Sequence, residues 1–376
     1  MKIGIFGGTF NPVHEEHVNI CKNAIKELGL DKLIVVPTFL PPHKEVISES
    51  CTDRLNMLSI AFDGVNKACV SDFEIKKEGT SYSYITLEYF KSLYPNDELY
   101  FIIGGDSLLS FGSWRNPERI LSCATLTVVD RDGINADYEK EREYFKKAFN
   151  KDFILLKYRG KDFSSTRIRV YASLSLPLDG LADEKIAKYI KDNGLYKGDK
   201  YSEYVKSQLP EKRLYHTAEV MVSALSKASE LKLNPEKVRL SALLHDVAKY
   251  VDYKTVEGFQ IEEGMVAPVV HAFLGAYVAK NILKIDDDEI IDAIKYHTSG
   301  KANMSLLGKL IFVADMVEKN RDYEGVERLR ALFKKDFNLS FIECLKEEMQ
   351  HLLSKKRIIY IETLNAYDYY INNKKD

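Results

Sequence analysis

Residues Ile3–Val18 read IGIFGGTFNPVHEEHV, and this stretch decides how the first half of the chain folds. An apolar run ends on the pair Gly7–Gly8, and two histidines three apart, His14 and His17, follow where a helix is about to start. A strand that runs through a glycine turn into a helix gathers backbone N–H groups and the positive end of the helix dipole at one spot, a cradle for phosphate. At i and i+3 the two imidazoles fall on one helix face and can donate to phosphate oxygens. The string lacks the GxxxxGK(S/T) of a Walker A loop and a full GxGxxG, which disfavours kinase and dinucleotide-dehydrogenase readings.

Outward from it, short apolar runs alternate with amphipathic segments: KLIVVP (32–37), helical spacing over Arg54–Phe62, ELYFIIGG (98–105), ATLTVVD (124–130) and FILLKY (153–158). Continuously apolar strands in a βα rhythm predict a mainly parallel sheet with helices on both faces, and ligands at the carboxyl ends of its strands. The polar stretch KDNGLYKGDK (Lys191–Lys200) reads as the exit from this region. Beyond it the spacing is helical throughout: Glu203–Leu231, Pro235–Val251, Val269–Leu283, Asp288–His297, Ser305–Lys319 and Phe337–Leu353. The expectation is an α/β domain over 1–197, a linker over 198–202 and an all-α domain over 203–376.

Composition sets the outer bounds. The 376 residues are 45% hydrophobic and 29% charged, with 54 Lys+Arg against 56 Asp+Glu and a net charge of −2, which suits two globular cores and excludes collagen-like or largely disordered chains. Without a basic half, no polynucleotide footprint is indicated, and small anionic ligands fit better. Five scattered cysteines without a CxxC argue against a disulfide framework and for a reducing cytoplasm. No run approaches the length of a membrane span, and MKIGIFGG does not resemble a secretory signal. A homo-oligomer is left open.

The string GGTFNPVHEEHV is similar to the GGTFDPxHxGH signature of the nicotinate mononucleotide adenylyltransferase family, and FSSTRIR (Phe163–Arg169) to that family's ISSTxIR. PPHK (Pro41–Lys44), SYSYITL (Ser81–Leu87), GGDS (Gly104–Ser107), Trp114 and VVDRDG agree with it in order. The resemblance covers residues 1–197. It implies a Rossmann-like nucleotidyltransferase fold and adenylyl transfer from ATP, carried with Mg²⁺, to nicotinate mononucleotide. Gly7, Gly8, Thr9, Phe10, Ser164, Ser165 and Thr166 would bind the nucleotide, with His14, His17, Lys44 and Arg169 on the transferring phosphates. Asp106 would contact ribose, and Thr86, Trp114 and Arg131 would shape the pyridine pocket. Glu16 stands where the family usually has glycine, and is expected either to crowd phosphate or to turn to solvent.

In the second half, His216, His245, Asp246, His271, His297 and Asp315 recur in apolar helical contexts. Buried imidazoles and carboxylates are costly unless paired or bound to metal, and helices of a bundle can bring them together. The order H…HD…H…H…D resembles the HD-domain phosphohydrolases. RLYHTAEVMV, LLHDVAKY, APVVHAFLGA and IKYHTSGKANMSLLGKLIFVADMVEKNRDYEGV are similar to the HD hydrolases of symmetrical diadenosine tetraphosphate. That resemblance implies one metal on His216, His245, Asp246 and Asp315, a second on His271 and His297 with Asp246 bridging, iron or manganese as the ions, and Lys249 and Arg321 on phosphate. Another phosphoester substrate, or a regulatory nucleotide-binding module in place of a second enzyme, stays open at this stage.

Overall fold

Each apolar run of the first half forms a strand, buried on both faces in the sheet interior and partly exposed in the last, edge strand. A computed structural model describes residues 1–41, 49–131, 136–161 and 163–372. β1 (Lys2–Gly8) leads to α1 (Glu15–Leu28), which stops on Gly29 in the left-handed region at φ 64°. β2 (Lys32–Pro37), α2 (Cys51–Phe62) and β3 (Ala68–Val70) follow, then α3 (Phe73–Lys77), α4 (Ser83–Leu93), β4 (Glu98–Gly104) and α5 (Gly105–Leu109). α6 (Pro117–Cys123), β5 (Thr125–Arg131), α7 (Tyr138–Phe149) and β6 (Ile154–Gly160) complete the sheet. Among the described residues the six strands pair in parallel in the order β3-β2-β1-β4-β5-β6. The expected Rossmann-like fold is therefore present. β3 has no counterpart among the apolar runs, because KACVSD is short, half-buried and lies at the sheet edge.

The chain runs to one side of β1 with β2 and β3 and returns to the other side with β4. That reversal opens a crevice beyond the carboxyl ends of β1 and β4, where Gly7, Gly8 and Asp106 lie. Under it packs a cluster that includes Ile5, Val36, Phe101, Val128 and Phe145.

By compactness the chain divides into Met1–Arg169 with Leu178–Tyr196, and Val170–Pro177 with Lys197–Asp376. α8 (Ser165–Ser173) starts in the first unit, and α9 (Glu184–Asp192) belongs to it. The second unit is helical among its described residues: α10 (Lys200–Gln208), α11 (Glu211–Ala228), α12 (Pro235–Leu244), α13 (Ala267–Tyr277), α14 (Asp288–Lys295), α15 (Leu306–Val317), α16 (Val326–Lys335), α17 (Phe337–Ser354) and α18 (Ile361–Tyr367). α10 begins inside the segment expected to be linker, because Asp199 caps it by accepting from the Tyr201 and Ser202 N–H groups. The helix expected over Glu203–Leu231 is broken at Leu209, whose extended backbone precedes Pro210. All five cysteines are free thiols, and among the described residues no helix is long and apolar enough to cross a membrane.

Candidate active sites

The loop after β1 is shaped by close approach. A Cβ on Gly8 would stand 2.9 Å from the Phe10 ring, whereas one on Gly7 would meet only the Val36 carbonyl at 4.0 Å, so open space lies over Gly7. Phe10 turns the chain at φ 47° and is itself buried, 5.6 Å from Phe6 and 5.0 Å from the His17 ring. It can serve a ligand through backbone only. Side chains hold the loop by its carbonyls. Arg54, fully buried, donates to Thr9 O at 3.0 Å and Thr38 O at 2.6 Å. Arg169 donates to Asn11 O at 2.6 Å, Ser165 to Pro12 O at 2.8 Å, and Tyr196 to Asn11 Oδ1 at 2.6 Å.

His14 caps α1 and stacks on His17, with centroids 3.6 Å apart and planes 18° apart. His17 Nδ1 accepts the His14 backbone N–H at 3.1 Å, which leaves its proton on Nε2 as a fixed donor. Burial and the nearby Arg131 charge push His14 down to about 4. Burial, His14 and Arg131 hold His17 well below its ordinary value. Near neutral pH both rings are therefore uncharged hydrogen-bond donors and not cations.

Around them Asp106 and Arg131 pair at 3.0 Å across the ends of β4 and β5, both exposed. Thr166 Oγ1 accepts from Arg169 at 3.0 Å, and Ser164 is half-buried just ahead of α8. Arg169 and Ser165 thus brace the loop, and Thr166 in turn holds Arg169. Thr86 is buried with its hydroxyl on Glu74 Oε1 at 2.5 Å, and Trp114 packs on Phe111 and Phe101 at 5.4 and 6.3 Å. Lys44 lies outside the described residues. Glu16 neither crowds phosphate nor faces solvent: it is buried and accepts the Tyr158 hydroxyl at 2.8 Å, beside Gly160, where a Cβ would stand 3.0 Å from its Oε1.

The second constellation is built from side chains on separate helices. His216 sits on α11, His245 and Asp246 directly after α12, His271 on α13, His297 just past α14 and Asp315 on α15. All six meet, and Asp246 is central. Its Oδ1 faces His271 and His297 Nε2 at 3.1 and 3.6 Å, and its Oδ2 faces His245 and His216 Nε2 at 3.7 and 3.8 Å. Each oxygen of one carboxylate thus serves one imidazole pair, the geometry of a bridging ligand. Asp315 Oδ1 lies 3.0 Å from His216 Nε2. Ligand atoms of His216, His245 and Asp246, of His245, His297 and Asp315, and of Asp246, His271 and His297 lie within 4.8 Å in each trio.

Outer contacts fix the rings. His245 and His297 engage the Ala242 and Ile294 carbonyls through Nδ1 at 2.7 and 2.8 Å, and His216 Nδ1 meets Glu318 at 3.1 Å, so Nε2 points inward in all three. Despite burial, His245, His271 and His297 hold the Asp246 carboxyl well below the usual range, and Arg321 and His216 do the same for Asp315. Burial pushes His245 down to about 3 and lowers His271, whereas His216, despite its burial, is raised by its hydrogen bonds to Asp315 and Glu318 and gives up that proton when it ligates. Ionised carboxylates and neutral imidazoles are the forms that ligate a divalent cation, and this donor set suits one.

Several participants were not singled out from sequence. Arg54 falls in phase with Met57, Leu58 and Phe62 on the buried stripe of α2, and a charge on an apolar stripe is a readable signal. Arg213 and Glu318 stand three residues from His216 and Asp315, on the same helix faces or just past them. Glu74, Tyr158 and Thr298, whose hydroxyl lies 3.3 Å from His271 Nε2 and 3.0 Å from His297 Nε2, carry no comparable mark.

A cytidylyltransferase-like family model matches residues 5–170, and an HD-domain model matches residues 213–320. A protein of Mycoplasma genitalium described as a probable nicotinate-nucleotide adenylyltransferase/Ap4A hydrolase is 31% identical over 359 residues, spanning 92% of this chain and 97% of that one. A probable nicotinate-nucleotide adenylyltransferase of Clostridium tetani is 39% identical over 202 residues, 52% of this chain and 99% of its own length. Among solved structures, a protein of Clostridium acetobutylicum described as a predicted HD superfamily hydrolase involved in NAD metabolism aligns at 31% identity and TM-score 0.43, covering 47% of this chain and 97% of that one.

Proposed function

The chain belongs to the family of fused nicotinate-nucleotide adenylyltransferases and Ap4A hydrolases, and on that premise we propose that its first unit transfers the adenylyl group of ATP to nicotinate mononucleotide while its second splits diadenosine tetraphosphate into two ADP. The observation that carries the reading is the pairing, in one polypeptide, of the stacked imidazole donors beyond β1 with the bridged six-residue cluster among the helices.

In the first reaction a phosphate oxygen of nicotinate mononucleotide attacks the α-phosphorus of ATP in line and pyrophosphate departs, giving deamido-NAD. No protein nucleophile is needed, so catalysis consists of positioning and of stabilising spread negative charge. Gly7 leaves room for the phosphates, the start of α1 and His17 Nε2 direct N–H donors at them, Lys44 adds positive charge, and Arg131, paired with Asp106, stands on the pyridine side. Arg169 and Ser165 keep the loop in register, Asp106 meets ribose, and Thr86 and Trp114 form the pyridine wall. Mg²⁺ enters with ATP as part of that substrate.

In the second reaction two iron or manganese ions would polarise a bridging phosphate and acidify the attacking water. His216, His245, Asp246 and Asp315 would hold one, His271 and His297 the other, with Asp246 shared. Lys249 and Arg321 face the same space and offer charge to the phosphate chain. The test is to assay both reactions on the full chain and on His17→Ala and Asp246→Ala. Selective loss of the first activity in one and the second in the other is expected; joint loss in either variant would overturn the division.

A further inference from the structure

Donor atoms in the helical cluster are already engaged by the protein's own cations. Lys249 Nζ lies 3.0 Å from His271 Nε2 and 3.6 Å from Asp246 Oδ1, Arg213 Nη1 lies 2.8 Å from Asp246 Oδ2, and Arg321 Nη2 lies 2.5 Å from Asp315 Oδ1. A carboxylate oxygen can serve two partners, but the acceptor nitrogen of a neutral imidazole has a single lone pair. The same lone pair cannot hold an ammonium and a metal ion together. Two dications would also stand against three cationic side chains within a few ångströms, at the short range where charge repulsion is least screened.

Resting on the metal-hydrolase reading above, we infer that Lys249 is a resident plug of the second metal position: its ammonium holds His271 in the metal-free chain, and metal entry displaces it toward the space a substrate phosphate would occupy. Arg321 plays the matching part on Asp315 at the first position. Metal loading and exposure of phosphate-binding charge are then one event, and the second position, blocked through its imidazole, is the weaker and more exchangeable of the two.

The experiment titrates the metal-free full-length chain with Mn²⁺ by calorimetry and compares Lys249→Met with wild type. The weaker Mn²⁺ step is expected to tighten by about tenfold, the scale of one charge-assisted hydrogen bond that no longer has to break. Thermal melting of the metal-free variant should fall at the same time, because His271 and Asp246 lose their cation. Arg321→Gln should tighten the other step and serves if Lys249→Met does not fold. Unchanged or weaker Mn²⁺ binding in folded variants overturns the plug while leaving the metal site standing. Absence of any Mn²⁺ binding by wild type overturns both the metal reading and the plug. A wild-type crystal soaked in Mn²⁺, with two ions in place and Lys249 Nζ still 3.0 Å from His271, would also sink it.

Discussion

The two sites handle phosphate by opposite means. Beyond β1 the working surface is a backbone loop, held by Arg54, Ser165, Arg169 and Tyr196 through its own carbonyls and side chain, with uncharged imidazoles as donors. Among the helices the working atoms are side-chain oxygens and nitrogens, and charge dominates. A loop site fails when its shape is lost, whereas an ion cage fails when a ligand is lost.

Asp246→Ala should have the largest effect, because both imidazole pairs share that one carboxylate. Metal analysis should show both positions depleted and hydrolysis of diadenosine tetraphosphate gone, with adenylyl transfer retained. His17→Ala should reduce adenylyl transfer by about 10²- to 10³-fold, the usual weight of one preorganised donor, without altering hydrolysis. Comparable damage to both activities in either variant would erase the contrast.

The contrast sharpens at Arg54, which touches neither set of working atoms by charge yet fixes the loop. Arg54→Met leaves the Thr9 and Thr38 carbonyls without their donor and should destabilise the first unit by roughly 2–5 kcal/mol. Trp114 is the single tryptophan of the chain and lies in that unit, so its fluorescence during urea unfolding reports the first unit alone. Acid provides the next test. His14 is ordinary in the unfolded chain, near 6.5, and held at about 4 when folded, so between those values the unfolded state binds the extra proton. Stability by Trp114 fluorescence should be full above about pH 6.5, fall toward pH 4, and lose part of that slope in His14→Gln. The smallest effect is expected from Tyr158→Phe, which removes the hydroxyl from buried Glu16 and should cost about 1–3 kcal/mol in the same measurement.

Much of this was legible before any coordinates. The apolar runs gave five of the six strands because buried parallel strands need no polar alternation, and β3 escaped because a half-buried edge strand of three residues has no such run. The ligand residues of the second cluster were readable because imidazoles and carboxylates are conspicuous in apolar helices. Their supports were less so: Glu318 looks like an ordinary surface charge until α11 meets the end of α15, and Arg213 until α11 meets the end of α12.

Sequence alone determined five of the six strands, the glycine turn and the places of the two histidine motifs, since these follow from local residue types and periodicity, and the resemblance of those motifs to known families said which half takes which chemistry. Only the tertiary structure decided that Glu16 turns inward to Tyr158, that Arg54 is the brace of the nucleotide loop, that each oxygen of Asp246 faces its own imidazole pair, and that Lys249 sits on His271. Those depend on which side chains from distant positions meet, and a chain's local pattern does not encode the direction in which a buried polar group finds its partner.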